Sequence, residues 1–146
     1  MNATISPRTR RAPGLRRVHR LDGVPEAASV ARDIVTLDLG RRHPYLYNAR
    51  LVASELVTNA VTHTSSGLPG GFLTLYIEAT AQTARIEVAD AGPLPGARTR
   101  PRLTRPGADS EHGRGLALVA AYADDWGTHT HPDGNRTVWA LWRAAA

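Results

Sequence analysis

Residues 51–64 read LVASELVTNAVTHT. Glu55, Asn59 and His63 follow one another at intervals of four, which stacks them along one side of a helix. Leu51, Val52, Leu56, Val57, Ala60 and Val61 cover much of the remaining surface, so the helix is expected to be well buried. A buried helix that keeps a carboxylate and an amide one turn apart has two readings. They are active-site groups, or they cap a neighbouring loop. The stretch alone leaves both open.

The rest of the chain narrows the choice. At 146 residues it is expected to form one domain with a real core. It has no cysteine, which excludes disulfides and thiolate metal sites. No apolar run reaches the length of a membrane span, and the basic N-terminus lacks the apolar stretch of a secretory signal. The expectation is a soluble, cytoplasmic protein. The net charge of +5 suggests nucleic acid until it is located. Six arginines precede the first acid, Asp22, while the other twelve face thirteen acids, leaving the remainder at −1. The basicity therefore belongs to an N-terminal tail. Every cation is arginine, so no lysine is available for phosphate contact or Schiff-base chemistry.

Residues 1–15 mix Arg, Pro, Ser, Thr and Gly without periodicity and are expected to be a disordered tail preceding a single domain over 16–146. Residues 16–21 alternate like a short edge strand. Pro25 and Glu26 open a helix expected over 25–38, with Gly40 as its stop. The helix containing residues 51–64 is expected to begin near Tyr45. Residues 72–80 and 83–90 read as two strands joined by a tight turn. In the second, Ala84, Ile86 and Val88 share one face, and Asp90 falls on it too. A carboxylate that continues an inward-facing apolar row suggests a side chain pointing into a pocket.

Regular structure then stops. Residues 91–110 carry three glycines, four prolines and four arginines, the composition expected of a lid or binding loop. The arginines would suit phosphates; a solvated loop is the plainer alternative. Gly113-Arg114-Gly115-Leu116 opens a helix expected to run to about Ala123, and glycines at a helix entrance let the backbone approach an anion. A hairpin follows over 126–131 and 135–143, turning at Pro132-Asp133-Gly134. Val138, Ala140 and Trp142 lie on one face of its second strand, with Thr137, Trp139 and Leu141 on the other. Two apolar faces place that strand inside a sheet or between layers. His129 and His131 share a strand face but lack a third metal ligand. The order of elements predicts an α+β two-layer sandwich, a mixed and mainly antiparallel sheet with helices on one face.

The motif order is more specific than any single motif. ELVTNAVTH at 55–63, Asp90-x-Gly92, a long loop and Gly113-Arg114-Gly115-Leu116-Ala117-Leu118-Val119 resemble the ATPase superfamily of DNA gyrase, heat-shock protein 90, histidine kinases and MutL. The nearest match is its bacterial anti-sigma factor and serine/threonine-kinase branch, and the resemblance covers the chain from about Val18 onward. It implies a Bergerat-type ATP-binding fold and the cofactors ATP and Mg²⁺. Asn59 would be the Mg²⁺ ligand, and Glu55 the general base for an attacking hydroxyl or water. Asp90 would accept a hydrogen bond from the adenine amino group, with Gly92 letting the chain pass close to the base. Thr137 would add a contact to adenine or to a water beside it. Gly113, Arg114, Gly115 and Leu116 would form the phosphate-side hinge, and residues 91–110 the lid. His63 is read as a packed or hydrogen-bonded histidine outside the chemistry.

One departure stands out. The family's first glycine motif reads D-x-G-x-G, whereas here Leu94 holds the place of the second glycine and Gly96 comes two residues later. ATP binding is thus better supported than turnover. The resemblance implies a regulator that binds a sigma factor and an anti-sigma-antagonist protein, with serine phosphorylation of the antagonist and homodimerisation as further expectations. The alternative is a non-catalytic, ATP-responsive protein-binding module. Nucleic-acid binding through the arginine tail ranks last; it predicts salt-dependent binding that disappears when residues 1–20 are deleted.

Overall fold

Alternation and turn chemistry place the strands, and helical periodicity places the layer that covers them. The computed structural model describes residues 15–96 and 110–144. Most of the arginine-rich tail and the greater part of the expected lid lie outside the described residues. In chain order the elements are β1 (Leu15–Asp22), α1 (Ala27–Leu39), α2 (Leu46–His63), β2 (Phe72–Ala79), β3 (Thr83–Asp90), α3 (Ser110–Tyr122), β4 (Asp125–Thr130) and β5 (Arg136–Arg143). The strands form one five-stranded sheet in the order β1-β2-β3-β5-β4, with every pairing antiparallel. The expected two-layer α+β sandwich is the observed fold. β1 is an edge strand and β5 lies inside the sheet, as alternation and the two apolar faces of β5 predict.

Register decides which side chains face the helices. Leu75, Val88 and Val138 stand opposite one another across three strands, as do Ile77, Ile86 and Ala140. All six are buried, and they share one core with Ala31 and Val35 of α1 and with Val52, Ala53, Leu56, Val57 and Ala60 of α2. The buried Trp142 belongs to the same core, with Trp126 packed against it. Burying a Val, Leu or Ile contributes about 1.5–3 kcal/mol each, so this interlayer contact dominates the stability. The opposite sheet face carries Tyr76, Glu87 and Trp139 in one cross-strand row. There Arg85 lies 5.5 Å above the Trp139 ring and donates to Glu87 at 2.7 Å.

The helix ends are set locally. α1 stops at Gly40, whose φ of 94° suits glycine and whose N–H reaches the Thr36 carbonyl at 2.9 Å. At the entrance of α2, the Nδ1 of His43 accepts the Tyr45 N–H at 3.1 Å, while its Nε2 donates to the carbonyls of Thr80 at 2.7 Å and Thr83 at 3.1 Å. The neutral Nε2–H tautomer satisfies all three contacts and ties the start of α2 to the β2–β3 turn. α3 departs from expectation. It begins at Ser110, three residues before Gly113, because Ser110 and Glu111 are themselves helix-start signals. Gly113, Arg114 and Gly115 are therefore within the helix rather than at its entrance.

Candidate functional site

α2 packs on β3 and against α3, so its polar ladder flanks the region where β3 ends. Asn59 is only 6% exposed; its amide makes no hydrogen bond among the described residues, yet neither amide atom is among the fully buried unpaired ones. A largely buried residue whose amide stays reachable is suited to meet a ligand. Glu55, one turn earlier, is half-buried and likewise makes no hydrogen bond or ion pair among the described residues. His63 is half-buried and has an interaction of its own.

The chain leaving α2 is bonded to the end of β3. Thr64 is buried, its hydroxyl donating to the Ala60 carbonyl at 2.6 Å and accepting the Ser66 N–H at 3.1 Å. The Ser66 side chain, wholly buried, accepts the Ala91 N–H at 2.9 Å. Ser65 donates its N–H to the Gly92 carbonyl at 2.8 Å and its hydroxyl to the Pro93 carbonyl at 2.9 Å. These bonds fix the two motifs relative to each other. Periodicity does not disclose these bonds; the Thr-x-Ser directly after a buried polar helix is the local signal for them.

Asp90 is buried on the helix side of the sheet, in line with Ile86 and Val88. Its Oδ1 accepts the Gly92 N–H at 2.8 Å. Its Oδ2 accepts from Nη2 and Nε of Arg136, at 3.3 and 3.4 Å. Gly92 has a φ of 84°, and a Cβ there would lie 2.2 Å from the Gly134 carbonyl oxygen. Glycine is thus required by the backbone of the β4–β5 turn, a reason different from the expected passage beside a base. Gly96 also has a positive φ, 82°, with open space around it, while Leu94 is half-buried.

The helix that carries Glu55 and Asn59 packs on β3, which ends at Asp90, and its exit is bonded to Gly92; Thr137 lies elsewhere. Thr137 pairs with Ala89, and both lie on the opposite sheet face, where they line a shallow depression with Tyr76. Because side chains alternate strictly along a strand, Thr137 cannot share a face with Asp90. The residue opposite Asp90 is Arg136, which the sequence reading did not single out. Because α3 begins at Ser110, Gly113 lies in its first turn, while Arg114 and Gly115 follow in the second. Leu116 packs against the core, a sufficient reason for its presence.

Among the described residues no cluster of three or more His, Asp or Glu side chains could hold a metal ion. His129 and His131 meet edge to face, with ring centroids 4.4 Å apart. A cation held here by one or two of the described residues would take its other ligands from elsewhere, a bound molecule among them. Magnesium suits that arrangement: it keeps few protein ligands and takes the rest from phosphates and water. The Asn59 amide carries an oxygen of the hard kind that such an ion prefers.

Residues 18–142 match the family described as histidine kinase-like ATPase domain. The chain belongs to that family, and ATP is the ligand this membership implies. Among curated proteins none matches the chain significantly. Among solved structures, the crystal structure of the RsbU and RsbW domains of Rv1364c from Mycobacterium tuberculosis superposes with a TM-score of 0.63 at 21% identity, covering 91% of this chain. This chain spans only 33% of that longer one. At such identity the likeness shows the shared fold. No helix among the described residues is long and apolar enough to cross a membrane.

Proposed function

We propose that the protein is a Mg-ATP-binding regulator of the anti-sigma factor and serine/threonine-kinase type. It would bind nucleotide between α2, the end of β3 and the start of α3. The observation that supports this reading is the largely buried Asn59, on the helix whose exit loop is bonded to Asp90-Ala91-Gly92. Asp90 would accept from the adenine amino group. Asn59 would hold Mg²⁺, which when bound would neutralise charge on the phosphates. Glu55 would accept the proton of a partner's serine hydroxyl as its oxygen attacks the γ-phosphorus and ADP departs. The partners would be a sigma factor and an anti-sigma antagonist, the latter carrying the serine.

A second reading keeps ATP but removes the chemistry: nucleotide orders the lid and the domain holds a partner. Leu94 in place of the second glycine favours it, as does Glu55, which nothing among the described residues orients. A pull-down from the native cell with and without ATP, with phosphoserine analysis of the recovered protein, separates the two. Phosphoserine that is lost in Glu55→Ala supports the kinase. ATP-dependent capture without phosphoserine, unchanged in Glu55→Ala, supports the binding module. A partner captured equally with and without ATP contradicts both.

A further inference from the structure

We infer that Arg136 is a latch on the carboxylate of Asp90: its guanidinium occupies the acceptor that adenine needs, and a nucleotide must displace it to bind. The inference rests on the nucleotide reading of Asp90 and adds an autoinhibitory contact to that site. The sequence motifs do not point to Arg136; its place in the sheet does.

Arg136 is the direct cross-strand partner of Asp90, so the two side chains leave the sheet on the same side. Each oxygen of an ionised carboxylate offers about two lone-pair sites. On Oδ2 both are taken, one by Nη2 of Arg136 at 3.3 Å and one by its Nε at 3.4 Å. Oδ1 is held by the Gly92 N–H at 2.8 Å. The Asp90 side chain is only 3% exposed, against 26% for that of Arg136. A group that approaches the carboxylate from solvent therefore meets the guanidinium first. With Arg136 side-on to Oδ2, the adenine amino group finds no free acceptor there.

The contact is also one that can open. Both bonds are longer than the roughly 2.7–2.9 Å of a tight charge-assisted pair, and the Arg136 side chain already reaches solvent. Partly solvated ion pairs contribute little, so a ligand can displace this one at small cost. The long arginine stem then carries its charge into water, while the Gly92 N–H still holds Oδ1 and keeps the carboxylate aimed. Asp90 exchanges two long bonds to Arg136 for one to the amino group of the base. Without nucleotide, the same arginine keeps a buried carboxylate from being left unpaired, which would be costly. The sign of the effect is distinctive. A cation near a nucleotide site ordinarily attracts the anionic ligand, so its removal should weaken ATP binding; removal of a latch strengthens it.

The test is calorimetric titration of the wild type and Arg136→Val with Mg-ATP and with purine riboside triphosphate, in which hydrogen replaces the amino group of adenine. Valine suits a strand and brings no donor to Asp90. Arg136→Val should bind ATP about fivefold tighter than the wild type, the size of a partly exposed ion pair. Its affinity for purine riboside triphosphate should be unchanged, because that base draws no bond from Asp90. Equal or weaker ATP binding by Arg136→Val overturns the inference. An equal gain for both nucleotides also overturns it, since Arg136 would then obstruct the site without competing for the carboxylate. A second measurement needs only the wild type to fold. The Nε–H resonance of Arg136 in nitrogen NMR should move toward that of a solvated arginine with saturating Mg-ATP and stay in place with purine riboside triphosphate; a resonance unmoved by ATP overturns the latch. If the wild type binds neither nucleotide, or Asp90→Asn binds ATP equally well, the nucleotide reading itself has failed and the latch goes with it.

Discussion

Replacing Asn59 with leucine should stabilise the protein while abolishing its response to nucleotide. Asn59 is 6% exposed and sits among the buried residues of α2 with no hydrogen bond to its amide among the described residues, although its atoms are not among the fully buried unpaired ones. Burying a polar group without a partner costs about 1–3 kcal/mol on protein scales. Since a little of the amide still reaches solvent, relief at the low end, about 1 kcal/mol, is expected from Asn59→Leu, whose side chain branches at the same carbon. With an unfolding entropy of about 2.1 cal/mol/K per residue, the described domain would gain roughly 4 °C in Tm. Mg-ATP at one hundred times its Kd should stabilise the wild type by about 2.7 kcal/mol, and Asn59→Leu should lose that gain. Thermal unfolding with and without Mg-ATP measures both. A lower Tm for Asn59→Leu without ligand would refute the reasoning, because it would mean that the amide holds the fold together. Such opposition between stability and function is common where a site keeps an unsatisfied group.

Other substitutions probe the frame around the site. Ser66→Ala removes the side-chain acceptor of the Ala91 N–H and should cost about 1–3 kcal/mol in chemical denaturation, with nucleotide affinity falling as the end of β3 loosens. Gly92→Ala meets the Gly134 carbonyl at 2.2 Å from a φ of 84°. It should destabilise by about 2 kcal/mol or more, and a variant as stable as wild type would show that the turn yields freely. On the opposite sheet face, Glu87→Ala removes the carboxylate to which Arg85, 7% exposed, donates and leaves Glu78 as its cross-strand neighbour; a loss of about 1–3 kcal/mol is expected. The double change Arg85→Met with Glu87→Leu should recover most of it, and equal losses for single and double variants would mean that the pair's charge balance is irrelevant there.

Much of this arrangement is legible in the chain. Residues 72–90 alternate cleanly, so both strands end within a residue of expectation, and the inward direction of Asp90 follows from the row it continues. The positions of Glu55 and Asn59 follow from helical periodicity in the same way. What the sequence does not reveal is register between distant segments. Alternation puts Thr137 and Arg136 on opposite faces of β5 but does not say which face meets Asp90; pairing with β3 decides it, and a shift of one residue would exchange them. The start of α3 was obscured by its glycines, which read as an entrance although Ser110 and Glu111 already provide one. His43 and Ser66 act through bonds to segments far away in the chain, at Thr80, Thr83 and Ala91. Neither has a local pattern that discloses such a partner.

The proposed nucleotide site lies where α2 meets the end of β3, with Asp90 reading the base. Calorimetric titration of Mg-ATP into the wild-type protein and into Asp90→Asn tests it most directly. Saturable binding by the wild type, with affinity reduced at least tenfold in Asp90→Asn, a loss of about 1.4 kcal/mol, is the predicted result. An absence of binding heat in both proteins, or equal affinity in the two, would contradict it.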